Sequence, residues 1–326
     1  EQKIQLLEPL WISVGGRFDR RDGHFSAVNI TSLTARTDAG KSSESHFSPR
    51  ASFELALGEK SKLRGAWGKY YQWPSLNTPP FQALGNAQLR AQEADHYVLG
   101  IERQFPSDVF ARVEGFYKNM KNLIVDQNPD LTANQHDFIT NQHNLQNSGS
   151  GWAKGAELLV RKKIGSRFLG WTSYTHSISR RKLSPSAAER AAPYDQNNIL
   201  TVLGSYRFSR GYELSMKWHS HTGNPYRPLQ SVTSTGGGGF QTVYGPDNSA
   251  RLPAYQRLDM RLTKTKVYNS WTISYYFDLI NVTNHKNVLQ IRHFTRSNNT
   301  GNGYTLTTEE DTQFPLIPFF GIRAEH

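Results

Sequence analysis

Strict alternation of apolar and polar residues, repeated in segment after segment, constrains this chain most. Leu10, Ile12, Val14, Gly16 and Phe18 share one parity, and Trp11, Ser13, Gly15 and Arg17 take the other. Ala51, Phe53, Leu55 and Leu57 alternate with Arg50, Ser52, Glu54 and Ala56, and Tyr97, Leu99 and Ile101 with His96, Gly100 and Glu102. The pattern recurs in Val109–Phe116, Leu200–Phe208, Tyr212–His219, Arg257–Leu262 and Trp271–Leu279. A period of two puts successive side chains on opposite faces of an extended strand. No helical period runs over a comparable length, so the chain is expected to be all-β, with one apolar and one polar face per strand.

The connections alternate in length. Short turns are expected at Glu8-Pro9, Gly58-Glu59-Lys60, Pro106-Ser107-Asp108, Gly165-Ser166, Ser209-Arg210-Gly211 and Tyr268-Asn269. Long polar loops are expected at 22–44, 74–91, 126–150, 182–194, 223–253 and 294–313. Short turns at one end and long loops at the other characterise an antiparallel transmembrane β-barrel of the outer membrane. A β-sandwich would satisfy the alternation too, but it would have to bury its apolar face in a second layer and would not sort its connections this way. The count is about 14 strands, an even number as such barrels require. The whole of 1–326 reads as a single barrel domain.

Composition agrees. A mean hydropathy of −0.63 suits a wall that shows lipid only every second residue. No segment reaches the roughly 20 apolar residues of a membrane helix; the nearest, Phe314 to Ile322, is interrupted by Pro315 and Pro318. The absence of cysteine excludes disulfides and Cys-ligated metal centres. Aromatic residues make up 12%, enough to furnish the girdles that flank a lipid-facing band. The net charge of +11 comes without any helix-turn-helix, zinc-finger or RNA-binding motif, so no nucleic acid is expected; positive loops facing lipopolysaccharide or an anionic ligand account for it. Glu1 opens without a signal-peptide pattern, so either a leader has been removed or the sequence starts internally.

Several segments resemble the barrel of TonB-dependent outer-membrane receptors, in that family's order. Ser13 through Asp19 is similar to its GxRxD strand, and Ser48-Pro49-Arg50 followed by Leu63 through Pro74 to its next strand pair. Gly100-Ile101-Glu102, Phe116-Tyr117-Lys118-Asn119 and Gly155-Ala156-Glu157-Leu158 resemble later strands. Tyr194-Asp195-Gln196, Gly223-Asn224-Pro225-Tyr226, Pro253 through Arg261 and Asp278 through Asn284 continue the match. The resemblance implies a 22-stranded barrel, plugged by an N-terminal domain that contacts TonB and importing an iron chelate, cobalamin or a glycan. Nothing here resembles the plug, the TonB-contact peptide or the early strands, so the chain is expected to be the C-terminal part of such a barrel. The family ends on an aromatic residue that serves the insertion machinery. Phe320, Ile322 and Ala324 alternate toward that position as a C-terminal insertion strand, but the last residue is His326, read as a cloning remnant or trimmed tail.

Other chemistry finds little support. His219 and His221 share a face but lack an evident third ligand, so no metal is expected. The run Gly236–Gly239 lacks the Lys-Ser/Thr of a phosphate loop and reads as a flexible loop tip. No Gly-x-Ser-x-Gly elbow marks a hydrolase, and no enzyme or cofactor is expected. Asn281, Asn284 and Asn287 read as turn residues bonding local backbone. By parity, the candidates to line the lumen and contact ligand are Arg50, Glu54, Arg64, Glu102, Arg112, Glu114, Glu157, Arg161, Arg257, Asp259 and Arg261. For any one of them, a salt-bridge ladder holding strands in register is the stronger expectation. The expected location is the bacterial outer membrane. The expected partners are its lipid and lipopolysaccharide, the barrel-insertion machinery, proteins of an envelope complex, and TonB if a plug belongs to a longer chain. The alternative function is a plugless, receptor-derived barrel acting as a scaffold or passive pore.

Overall fold

A computed structural model describes residues 2–29, 34–74, 89–126, 145–162, 167–236, 239–297 and 304–326. The chain forms a 14-stranded antiparallel sheet. It begins with β1 (Gln2–Leu7), β2 (Leu10–Asn29), β3 (Thr34–Ala56), β4 (Ser61–Gln72) and β5 (Gln92–Phe105). It continues through β6 (Val109–Asp126), β7 (Leu145–Lys162), β8 (Phe168–Lys182), β9 (Arg190–Ala191), β10 (Asn198–Arg207) and β11 (Tyr212–His221). Three further strands, β16 (Tyr255–Val267), β17 (Thr272–Ile280) and β20 (Ile317–Glu325), complete it. Apart from β9, a short addition to β8, each strand pairs with the next in that order. Among the described residues, β1 and β20 each pair on one side only, so the sheet is an open stretch of wall.

The expected alternation survives pairing because the register keeps parity. Leu10, Ile12 and Val14 lie opposite Leu55, Phe53 and Ala51. Leu99 and Ile101 lie opposite Gly115 and Val113, and Phe277 opposite Phe320. A one-residue slip anywhere would turn a whole apolar row to the polar side.

Burial is inverted relative to a water-soluble fold. Leu99 is 55% exposed, Phe47 59% and Phe320 62%, while the Glu102 and Asp278 side chains retain only 13% and 15%. The buried apolar side chains among the described residues are only Leu89, Ala91, Leu123, Ala191 and Ala192, all at the long-loop end. The described residues form no apolar core between layers, and the exposed apolar rows need a nonaqueous neighbour. In β5 the row Tyr97, Leu99, Ile101 and Phe105, with Arg103 before the last, covers about nine residues, the length a tilted strand needs to cross a bilayer. Among the described residues, no helix is long and apolar enough to cross.

The short turns at Glu8-Pro9, 57–60, 106–108, 208–211 and 268–271 lie where the alternation places them. Ser107 and Asp108 both adopt positive φ, which lets the chain reverse in so few residues. Gly165-Ser166 lies outside the described residues.

Several expected loops carry regular structure instead. Most of 22–44 extends the β2–β3 ladder, with Asp22 opposite Ser43 and Val28 opposite Ala35. Within 223–253, β12 (Pro225–Tyr226) pairs with β15 (Ala250–Arg251), and β13 (Leu229–Gly236) with β14 (Gly239–Tyr244). Gly236 pairs with Gly239 where β13 meets β14, and Gly237 and Gly238, within the expected loop tip, lie outside the described residues. Likewise, β18 (Val288–Ser297) and β19 (Tyr304–Thr312) form a hairpin over much of 294–313. Backbone pairing needs no apolar alternation, so polar segments of this kind form strands unannounced.

Candidate functional site

The polar face carries charge pairs ordered by strand register. Glu54 on β3 reaches Lys62 at 2.8 Å and Arg64 at 3.0 Å on β4, and Arg64 reaches Glu102 on β5 at 3.2 Å. One guanidinium thus ties three strands. Arg112 pairs with Glu114 along β6 at 2.9 Å. Arg257 pairs with Asp259 along β16 at 2.7 Å, and Asp259 also accepts the backbone N–H of Asn281. Arg261 forks onto Asp278 of β17 at 2.5 and 2.6 Å. Arg161 lies over the Phe110 ring at 5.3 Å, and Arg50 sits opposite Gly15 and Gly68. Glu157 faces Glu114 directly across the β6–β7 ladder, a like-charge juxtaposition that the ladder reading did not foresee. A pocket of about 440 Å³ opens on this face beside Glu54, Arg64 and Glu114.

At the long-loop end a second polar assembly was missed by parity reasoning. Asp195, 2% exposed, accepts the Ser179 N–H at 2.7 Å and pairs with the Arg251 guanidinium at 2.5 Å. Arg251 also donates to the carbonyls of Asp195 and Gly223. Asp247 lies 3.4 Å from both Arg190 and Arg227, and Asn248 donates to the Ala191 carbonyl. Gln196 bonds Asn224 at 2.9 Å. These contacts clamp the β9 segment, the chain before β10 and the β12–β15 pair into one rim. The available signal was the pair of motifs around Asp195 and Asn224, which carried a resemblance but no stated role.

Asn281 and Asn284 take positive φ, and Asn281 bonds local backbone at His285 as expected of a turn residue, whereas the Asn284 side chain accepts the N–H of distant Leu316. Their reach is longer than local bonding. Asn287 bonds both the N–H and the carbonyl of Gln256, at 2.8 and 2.9 Å, and Asn281 donates to the Phe314 carbonyl at 3.2 Å. His219 and His221 lie 5.5 Å apart beside Tyr255. Among the described residues, no three His, Asp or Glu side chains gather as a metal site. Phe320, Ile322 and Ala324 lie on the apolar face of β20, opposite Phe277, Tyr275 and Ile273.

The sequence profile described as "TonB dependent receptor-like, beta-barrel" matches residues 1–284. The chain belongs to that family. TonB-dependent receptor barrels reside in the bacterial outer membrane, and the inverted burial of this one is the expected consequence. The family is one of receptors and transporters. Solved structures share the fold. The ferric-catecholate import receptor Fiu from Escherichia coli K12 is 15% identical, with a TM-score of 0.63 over 99% of this chain and 43% of Fiu. The siderophore receptor PiuA from Acinetobacter baumannii is 12% identical, with a TM-score of 0.67 over 99% of this chain and 41% of PiuA. The ferripyoverdine receptor of the Pseudomonas aeruginosa outer membrane is 12% identical, with a TM-score of 0.60 over 98% of this chain and 37% of that receptor. The chain therefore spans less than half the length of these receptors. No curated protein matches the sequence.

Proposed function

We propose that this chain is the ligand-gathering wall of a TonB-dependent importer for an anionic iron chelate. The clamped rim carries the reading: Asp195–Arg251 and Arg190–Asp247–Arg227 build a rigid, arginine-rich edge at the long-loop end, above a charged inner face. A preordered basic edge suits capture of an anion, because the ordering cost is met in folding. Receptors named for ferric catecholates, siderophores and ferripyoverdine share the fold, which supports iron chelates over cobalamin or glycans. The polar-face residues from Arg50 to Arg261 divide their work in this reading. Glu54, Arg64, Glu102 and Arg261 hold register through their ion pairs, and Glu54 and Arg64, with the Arg112-paired Glu114, also line the pocket that meets passing ligand. TonB acts on a plug outside this chain, and the insertion machinery reads β20.

The test is uptake of radiolabelled iron by cells bearing the native-length protein, offered catecholate and hydroxamate chelates. Accumulation that needs both TonB and the receptor, and that drops with Arg227→Ala, is the expected result. Accumulation indifferent to TonB would point to a passive pore instead.

A further inference from the structure

His219 and His221 end β11 just beneath the rim: Thr222 and Gly223 follow, and the Gly223 carbonyl accepts from Arg251. Residues two apart on a strand share a face. Register sets His219 opposite Arg257 and His221 opposite Tyr255, so both histidines lie on the polar face with the charge ladder.

Both rings are oriented through Nδ1. His221 Nδ1 lies 2.9 Å from the Thr222 carbonyl, which can only accept, so Nδ1 carries the proton and Nε2 keeps its lone pair. His219 Nδ1 lies 2.9 Å from the Thr201 hydroxyl on the neighbouring strand β10. When that hydroxyl accepts, the His219 Nε2 lone pair is bare in the same way. Tyr255 stacks on His221 with ring centres 4.7 Å apart and an interplanar angle of 6°, and it meets His219 edge-on at 5.8 Å. Imidazoles held through one nitrogen and bare at the other have the arrangement of metal ligands.

The spacing suits one shared ion. An ion about 2.0 Å from each Nε2 lies about 3.2 Å from each ring centre, so bond angles of about 90–120° put the centres roughly 4.5–5.5 Å apart. The two ring centres are 5.5 Å apart. Two protein donors leave the other coordination positions open. The surrounding charge disfavours a bare cation. Arg257 lies opposite His219, and Lys217, two residues nearer the short turn, lies opposite Asp259, whose carboxylate Arg257 holds at 2.7 Å. The same cations favour an ion that arrives inside an anion.

We propose that His219 and His221 form a metal-accepting site for an anionic chelate of a copper(II)-class ion with two vacant coordination positions. This cargo lies beyond the iron chelates of the importer reading, and it rests on that reading only for the inward polar face. Imidazole suits copper(II), nickel(II) and zinc(II), and copper(II) binds strongest of these. A ferric ion wrapped fully by oxygen donors offers a histidine no position, whereas a divalent ion on a small aminocarboxylate does. Two metal-bound waters leave as the two Nε2 atoms take their places, and no proton moves because each ring keeps its own on Nδ1. The missing third protein ligand is no obstacle, since the chelate carries the remaining donors and its negative charge faces Lys217 and Arg257.

The experiment uses the native-length protein in detergent micelles, with copper(II) nitrilotriacetate, an anion with open positions, as the probe. Electron spin-echo modulation counts the imidazoles bound to copper(II). Wild-type protein is expected to show two imidazoles on one copper, and that signal should vanish in the double variant His219→Ala, His221→Ala. Thr201→Val keeps both histidines and removes only the Nδ1 partner of His219; it should weaken binding about tenfold or more. Lys217→Gln should weaken the nitrilotriacetate complex more than neutral copper(II) iminodiacetate. Heat-modifiable gel mobility checks the folding of each variant, with His221→Ala alone replacing the double variant if that fails to fold. One imidazole per copper in the wild type, a signal unchanged in the double variant, or equal effects of Lys217→Gln on the two chelates overturns the proposal. Iron uptake indifferent to TonB would sink the importer reading and leave this result standing, because binding is measured on purified protein.

Discussion

Replacing Arg251 by alanine removes the cation that, among the described residues, pairs with the buried Asp195 carboxylate, along with two bonds to main-chain carbonyls. Deleting one partner of a fully buried pair costs about 3–5 kcal/mol. Two features lower that figure here. The Arg251 side chain keeps 29% of its exposure, so its charge is partly solvated. Asp195 also retains the Ser179 N–H at 2.7 Å and Asn197 at 3.4 Å. A local loss of about 2–3 kcal/mol follows, or roughly 30- to 150-fold in the opening equilibrium of the rim. The loss stays local, because the wall is held by its own ladders and none of them includes Arg251. Amide hydrogen exchange reads this directly. Protection should fall by that factor at Ser179, Ala192 and Leu252, whose N–H groups bond within the rim, and stay unchanged at Val202 in β10. Arg251→Lys should recover only part, since an ammonium cannot fork over two carbonyls and a carboxylate. Unchanged protection at the rim, or equal loss in rim and wall, would refute the reasoning.

Three other perturbations test other levels. Asn287→Ala strips both the N–H and the carbonyl of Gln256 of their partner at a site only 2% exposed; we expect a loss of about 2–4 kcal/mol, read from the denaturation midpoint in lipid vesicles, and an unshifted midpoint would sink that assignment. Leu99→Arg, at a side chain 55% exposed, would be nearly neutral in water but should cost about 2–4 kcal/mol in a bilayer, so a neutral result in vesicles contradicts the lipid contact. In the β18–β19 hairpin, the hydrogen bond from Gln290, with help from Arg292, holds the Asp311 carboxyl below its ordinary range. A depressed carboxylate stabilises above its unfolded pKa and stops doing so as pH falls through the folded one, so hairpin protection should persist through the ordinary carboxylate range and decline only below it; loss already at higher pH would contradict the pairing.

The wall was legible because one physical rule governs it. Leu99 must face lipid and Glu102 must not, and that requirement recurs every second residue with no long-range information. Where the environment imposes no such rule, the reading stopped. Where β2 and β3 pair within 22–44, the ladder does not depend on apolar alternation, and the serines, glycines and charges of that segment look the same in a loop or a hairpin. Register also lay out of reach: Arg261 was found by parity, but its partner Asp278 follows only once β16 and β17 are aligned. The same alignment sets Glu157 against Glu114, which single-strand patterns do not show. The Asp195–Arg251 clamp joins residues 56 apart through two irregular segments, and nothing local announces it.

The central claim is that one face of this sheet meets lipid and the other water. The chain has no cysteine, so single substitutions at Val98, Leu99, Gly100, Ile101 and Glu102 can each carry one spin label. With the native-length protein in bilayers, accessibility to oxygen and to a water-soluble nickel chelate is measured at each site. We predict a period of two, with labels at 99 and 101 favouring oxygen and those at 98, 100 and 102 favouring the chelate. Equal chelate access at all five positions would contradict the account.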